Sequence, residues 1–219
     1  TAIANYVEGA RELLNNPDAD NLETVRQALD DAAQESVRAG QIVRGLRDFI
    51  GRGTAERRVE SLPRLINQAN ALALIGAREV GIDVDLEFVP QAESVLVAGV
   101  QVQQVMVNLI RNAVEAMETS PTRKLSIRTQ RLSKDFVTVS VTDSGQGFAP
   151  ENMDRLFEPF FSTKGEGMGL GLSICRTIVE SLGGSIWSEQ TVDGMRFSFT
   201  LLSADTEDSD DGPASDLSG

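Results

Sequence analysis

"VTDSGQGFAPENMDRLFEPFFSTKGEGMGLGLSI", residues 141–174, closes an alternating apolar and polar strand, spends its middle on glycine and phenylalanine, and runs into an amphipathic helix. A strand that stops at Asp143 beside Gly145 and Gly147 sets a carboxylate next to bare backbone. Such a carboxylate can accept a hydrogen bond from an exocyclic amine while the glycines let a flat ring come close. A ring oxygen in place of that amine would leave two acceptors facing each other at a cost of about 1 to 3 kcal/mol, so the arrangement suits adenine over guanine. Taken alone, "DSGQG" is equally a tight turn. Farther on, Gly165, Gly167, Gly169 and Gly171 lead straight into a helix beginning near Leu170. Unpaired N–H groups and the positive end of the dipole at such a start make a phosphate site. No Lys-Ser or Lys-Thr pair ends these glycines, unlike a P-loop, and no strand stands immediately before them, unlike a dinucleotide-binding turn. Between the glycine clusters, Phe157, Phe160 and Phe161 are aromatic anchors on a stretch too rich in glycine to be rigid, a pairing that fits a hinged lid. Lys164 suits a terminal phosphate there, or simply water.

Working outward, "VQVQQVMVNLIRNAVEAM" (100–117) has a broad apolar face of Val102, Val105, Met106, Leu109, Ile110, Ala113 and Met117. Gln104, Asn108, Asn112 and Glu115 line a second stripe at helical spacing. Polar helix residues usually face water. Asparagine, however, is a mediocre helix former, and a pair one turn apart in mid-helix suggests that the amide oxygens are wanted. Magnesium takes such hard oxygen donors and shares them with substrate phosphates.

Residues 62–78 have a helical period, "IDVDLEF" (82–88) alternates as a strand, and "SVLVAG" (94–99) is a short strand. Strand signals return over 124–130 and 136–143, and a helix over 169–182 precedes the hairpin-like 184–190 and 195–202. The sum is a mixed sheet covered by helices, an α+β sandwich. Before it, Ile3, Val7, Ala10 and Leu14, then Val25, Leu29, Ala32, Ser36, Ala39, Val43, Leu46 and Ile50, alternate spacings of four and three, the roughly 3.5-residue seam of a bundle. Residues 1–51 are expected to form an α-helical hairpin, its first helix truncated, that meets a second copy in a dimeric four-helix bundle. Packing on the rest of the same chain is the alternative. A linker is expected over 52–60, the sandwich domain, which the resemblance given below makes the ATP-binding catalytic domain, over 61–202, and an acidic disordered tail over 203–219.

Composition sets the bounds. A chain of 219 residues with 41% hydrophobic content can build a core. Its net charge of −13 argues against nucleic acid. No apolar run approaches the ~18 residues of a membrane span. A single cysteine, Cys175, permits no internal disulfide and fits a cytoplasmic setting. There is no histidine, which closes any mechanism needing one in this chain. Cys175 and Trp187 carry only the expectation of packing.

Taken together, "NLIRNA", "DSGQG", "FEPFFSTK" and "GMGLGLSI" resemble, in order and spacing, the N, G1, F and G2 boxes of the sensor histidine kinase ATP-binding domain of two-component systems. DNA gyrase and MutL share a looser version. The resemblance covers roughly residues 60–202 and is nearest to the FixL-like and NtrB-like kinases; "TAIANYVEGARELL" is similar to the part of their first dimerisation helix just past the phospho-accepting histidine. It implies an ATP and Mg²⁺ site. Asn112 would bind the metal, Asn108 would help hold metal and phosphates, Asp143 would read the adenine amine, and Gly145 and Gly147 would shape its pocket. Phe157, Thr163, Lys164, Gly167, Met168, Gly169, Leu170 and Gly171 would belong to the nucleotide lid, with Lys164 and the glycines on the β- and γ-phosphates. Asn108, Asn112 and Lys164 are thereby the expected catalytic residues. Gyrase-like ATPases carry a glutamate as water's base where Asn108 stands; an asparagine cannot take that proton, so the resemblance implies kinase rather than ATPase. The third glycine box has Met195 where a threonine is common, and "DGMRF" is given no role.

The resemblance also implies a response-regulator receiver domain as partner, a homodimer, and a sensory domain upstream, which this chain does not contain. The acceptor histidine would precede Thr1, so the chain is expected to be a fragment cut just past it, the alternative being a protein that naturally lacks its acceptor. Two other readings stay open. One is a nucleotide-binding scaffold that pairs with a kinase or regulator; the other is an ATPase driven by lid closure.

Overall fold

A computed structural model describes residues 2–15, 21–33, 35–36, 56–74, 81–163 and 169–204, and the chain divides into two units, 1–53 and 54–219.

In the first unit, α1 (Ala2–Leu13) and α2 (21–33) are helices. Ala10, Val25 and Ala32 of the expected seam are buried, whereas Val7, Leu14 and Leu29 remain 48 to 50% exposed. Ala39, Val43, Leu46 and Ile50 lie outside the described residues.

The second unit is an α+β sandwich. Its sheet takes the order β2 (Asp83–Glu87), β4 (Lys124–Arg131), β5 (Phe136–Asp143), β7 (Met195–Leu202) and β6 (Ile186–Gln190). Strands β2 and β4 run parallel, and every other neighbouring pair is antiparallel. Strict alternation in "FVTVSVTD" turns Val137, Val139, Val141 and Asp143 to one buried face. In register beside them stand Leu125 and Ile127 of β4, and Phe197, Phe199 and Leu201 of β7. Three helices cover that face: α3 (Leu62–Ala73), α4 (Gly99–Ala116) and α5 (Gly171–Ser181), with α4 between the other two. The broad apolar stripe read in 100–117 is the reason, since Val102, Val105, Met106, Leu109, Ile110, Ala113 and Met117 are all buried. Fully burying side chains of this size contributes about 1.5 to 3 kcal/mol each, which fixes α4 and whatever its opposite stripe carries.

A second, two-stranded sheet pairs β1 (Arg58–Ser61) with β3 (Ser94–Val97). The linker expected over 52–60 overlaps this strand at 58–60. Only Glu60 there is even partly buried, so the strand comes from ladder pairing with β3, which no apolar periodicity announces. Residues 52–55 lie outside the described set, as do 205–219 of the acidic tail. No helix among the described residues is long and apolar enough to cross a membrane.

Candidate nucleotide site

Strand β5 delivers Asp143 at its last residue, 4% exposed. A buried carboxylate is tolerated only with hydrogen bonds, and the Gly145 N–H donates one to Asp143 Oδ1 at 2.8 Å. The turn that follows is held from both sides. A methyl group at Gly145 would stand 2.7 Å from the Cβ and the carbonyl oxygen of Ala116, so this backbone rests directly on the last turn of α4. At Gly147 the backbone is left-handed, with φ +70°, and a side chain would run into Gln190 of β6. Ser144 adds a brace, its Oγ accepting from Lys124 N at 2.9 Å and donating to the Thr122 carbonyl at 2.7 Å. The loop after β5 and the C-terminal end of α4 therefore form one corner.

Asn112 lies one helical turn before Ala116, and Asn108 one turn before that; both are half-buried, while Glu115 on the same stripe is exposed. The α4 turn that carries Asn108 packs against α5 at Cys175. The Cys175 thiol donates to the Val105 carbonyl at 3.8 Å and is fully buried. Burial pushes it up to about 12, and the hydrogen bond from Asn108 opposes that only in part.

Helix α5 opens without a side-chain cap: Leu170 stands at the N-cap position and offers no acceptor. No N-cap side chain takes the amides of the first turn, which suits another oxygen there. Its start is fixed by Gly169, whose backbone is left-handed, with φ +65°, and whose missing side chain leaves room for the backbone of Phe160 and Phe161. Phe160 N donates to the Gly169 carbonyl at 3.0 Å, so the two ends of the expected lid are tied together.

The phenylalanines have separate tasks. Phe157 is buried, edge-on to Phe197 at 6.3 Å and beneath the Arg176 guanidinium at 4.6 Å, so it anchors the stretch in the core. Phe161 is half-buried under Arg155 at 4.5 Å. Phe160 is 78% exposed with φ 66°, an uncommon backbone for a bulky residue. Thr163 is exposed. Lys164, Gly167 and Met168 lie outside the described residues.

One contributor was missed in the sequence. Gly194, in the "DGMRF" given no role, packs so closely on the Asp143 carbonyl and the Gly145 N–H that any side chain there would displace them. The signal was present, a glycine at a hairpin tip, but only the pairing of β5 with β7 shows which backbone it faces.

Comparison with known proteins agrees with this fold. Residues 98–205 match the family described as histidine kinase-, DNA gyrase B- and HSP90-like ATPase. The sensor protein FixL of Bradyrhizobium diazoefficiens is 48% identical over 205 residues, which is 93% of this chain and 41% of that protein. The nucleotide-free catalytic domain of the histidine kinase ThkA is 35% identical with a TM-score of 0.61, covering 68% of this chain and 96% of that one. A complex of ThkA with the response regulator protein TrrA matches at 27% identity and a TM-score of 0.69, over 92% of this chain and 58% of that one. The chain spans less than half the length of the curated relatives it matches.

Proposed function

The chain belongs to the histidine kinase family, and from that premise we propose that it is the ATP-dependent kinase core of a two-component sensor. In this reading it binds Mg-ATP and transfers the γ-phosphate to a histidine upstream of Thr1, for relay to an aspartate on a response-regulator receiver domain. What carries the reading is that three features border the same helix, α4: its half-buried asparagine stripe, the buried Asp143 whose glycine turn rests on Ala116, and the uncapped α5, which meets α4 at Val105.

Asp143 would accept the adenine amine, with Gly145, Gly147 and Gly194 keeping the backbone bare around the ring. The α5 amides from Gly169 to Gly171, with Lys164 and Gly167, would take the terminal phosphates, and the tied ends of the lid would let it close over them. The donor set fits magnesium. Among the described residues there is no cluster of three or more histidine, cysteine or acidic side chains able to hold a metal alone, whereas magnesium is commonly held by one or two protein oxygens plus substrate phosphates. Asn112 would be its protein ligand, with Asn108 supporting metal and phosphates. When bound, the ion offsets charge that develops on the transferred phosphoryl group. An asparagine rather than a carboxylate stands at position 108, and an amide cannot act as base for water, which favours transfer over hydrolysis.

The half-exposed Val7, Leu14 and Leu29 support a homodimer through the first unit, since such a stripe is stabilised by a second copy. A setting in the cytoplasm follows from ATP use.

The test mixes this chain and radiolabelled Mg-ATP with a longer chain that restores the upstream segment and carries Asn112→Ala. Acid-labile label on the longer chain is expected, together with its loss when this chain also carries Asn112→Ala. If the longer parental chain cannot label itself either, the kinase reading fails and a nucleotide-binding scaffold takes its place.

A further inference from the structure

The last turn of α4 has no basic residue of its own, yet a cation from the loop that follows takes the carbonyls at its end. Arg123, half-buried, donates from Nε to the Met117 carbonyl at 3.1 Å and from Nη2 to the Glu118 carbonyl at 2.9 Å. Carbonyls at a helix end lack intrahelical donors, and a cation there also meets the negative end of the dipole. The backbone that aims this guanidinium is itself held, because the Arg123 carbonyl accepts from Asp83 N at 2.8 Å. Both neighbours of Arg123 are tied to Ser144, whose Oγ accepts from Lys124 N at 2.9 Å and donates to the Thr122 carbonyl at 2.7 Å. Ser144 stands between Asp143 and Gly145, and Gly145 rests on Ala116, the residue just before Met117. Gln146 Nε2 adds a bond to Thr119 Oγ1 at 3.3 Å. The contacts thus close a ring that runs from the end of α4 through Arg123 and Ser144 to Gly145 and back to α4.

We propose that Arg123 is a positioning residue that sets nucleobase specificity: by clamping the end of α4 to the loop that braces Ser144, it holds Asp143 where its carboxylate meets an adenine amine while the phosphates reach Asn112. Resting on the nucleotide-site reading above, this goes beyond it by naming what keeps the base-reading turn in register with the asparagine stripe. Hydrogen bonds weaken steeply with distance and angle, whereas packing against a ring is tolerant of both. A small shift of the turn therefore loses the Asp143 contact before it loses the rest of the nucleotide. Lysine is no substitute, since a point charge on a flexible stem does not span two carbonyls as the planar fork does.

The test measures binding to the full chain, by calorimetry with Mg²⁺ present, of ATP and of purine riboside triphosphate, which lacks only the ring amine. The parent should favour ATP by about tenfold or more, the scale of a hydrogen bond to a charged group. Arg123→Ala should lose most of that preference through weaker ATP binding, with the amine-free analogue bound as before, and Arg123→Lys should fall between the two. An unchanged ratio in Arg123→Ala, whether both affinities hold or fall together, would make Arg123 a structural residue only and overturn the proposal while leaving the nucleotide site standing. A parent without the preference would overturn the adenine reading of Asp143 as well. Should Arg123→Ala fail to fold, Ser144→Ala opens the ring from its other side: the preference should shrink there too, and a parental ratio in that variant would sink the inference.

Discussion

At the scale of single residues, glycines divide into those the fold needs and those only a ligand needs. Gly145 is of the first kind, because an added methyl would meet Ala116 at 2.7 Å. Gly145→Ala should therefore cost about 1 to 3 kcal/mol of unfolding free energy, the usual range for an overpacked site, and weaken ATP binding with it. Gly171 is of the second kind. A methyl there would meet no described residue within 4 Å, and glycine gives up at most roughly 0.5 to 1 kcal/mol relative to alanine, the figure for a helix interior. Gly171→Ala should leave the melting temperature unchanged or raised while ATP affinity falls; unchanged affinity would remove Gly171 from the phosphate site. The sequence could not make this division. It showed both positions as members of glycine clusters, and Gly194 as nothing at all, because the neighbour that forbids a side chain lies on a different strand or helix in each case.

Among the elements, legibility followed periodicity. The helix over 99–116 and the strand over 136–143 were readable because burial on one face imposes an apolar period on the residues that build it. Strand β1 was not, since it is held by ladder bonds to β3 and presents Val59 to solvent. The contact between α4 and α5 was equally hidden, because a cysteine in an apolar helix face gives no sign of its partner. That contact has a pH signature. The Cys175 thiol is raised from 9.0 to about 12 in the folded chain, so below pH 9 both states are protonated and its contribution is complete. As pH rises from 9 toward 12 the unfolded chain releases this proton and the folded chain does not, so stability falls by up to about 1.4 kcal/mol per pH unit. Measured without nucleotide or metal, the parental chain should lose stability faster than Cys175→Ser across that window. Parallel curves would mean that the thiol titrates in the folded state as it does in the unfolded one.

For the whole molecule, the two units have different sources of stability, and truncation separates them. The second unit contains a continuous core from Leu62 to Leu201 that includes every strand of its five-stranded sheet except the partly buried β2. Its elements also close on themselves, with Ala204 N donating to the Ser94 carbonyl at 2.9 Å where the described chain ends. A fragment of residues 54–219 should therefore fold cooperatively and bind ATP with the affinity of the full chain, within about twofold. The first unit has no such core among its described residues. Ala10, Val25 and Ala32 are its buried apolar side chains among the described residues, and Tyr6, Val7, Leu14, Leu22 and Leu29 are each at least 38% exposed. Two helices bury too little apolar surface to offset the entropy of ordering them, unless a second copy covers the stripe. The full chain should accordingly sediment as a dimer and the 54–219 fragment as a monomer. Placing a charge in the stripe, as in Leu29→Glu, should dissociate the full chain without altering ATP affinity, because the stripe and the nucleotide corner belong to separate units. A full chain that stays monomeric, or a fragment that stays dimeric, would move the interface off the helices and remove the four-helix bundle from the architecture.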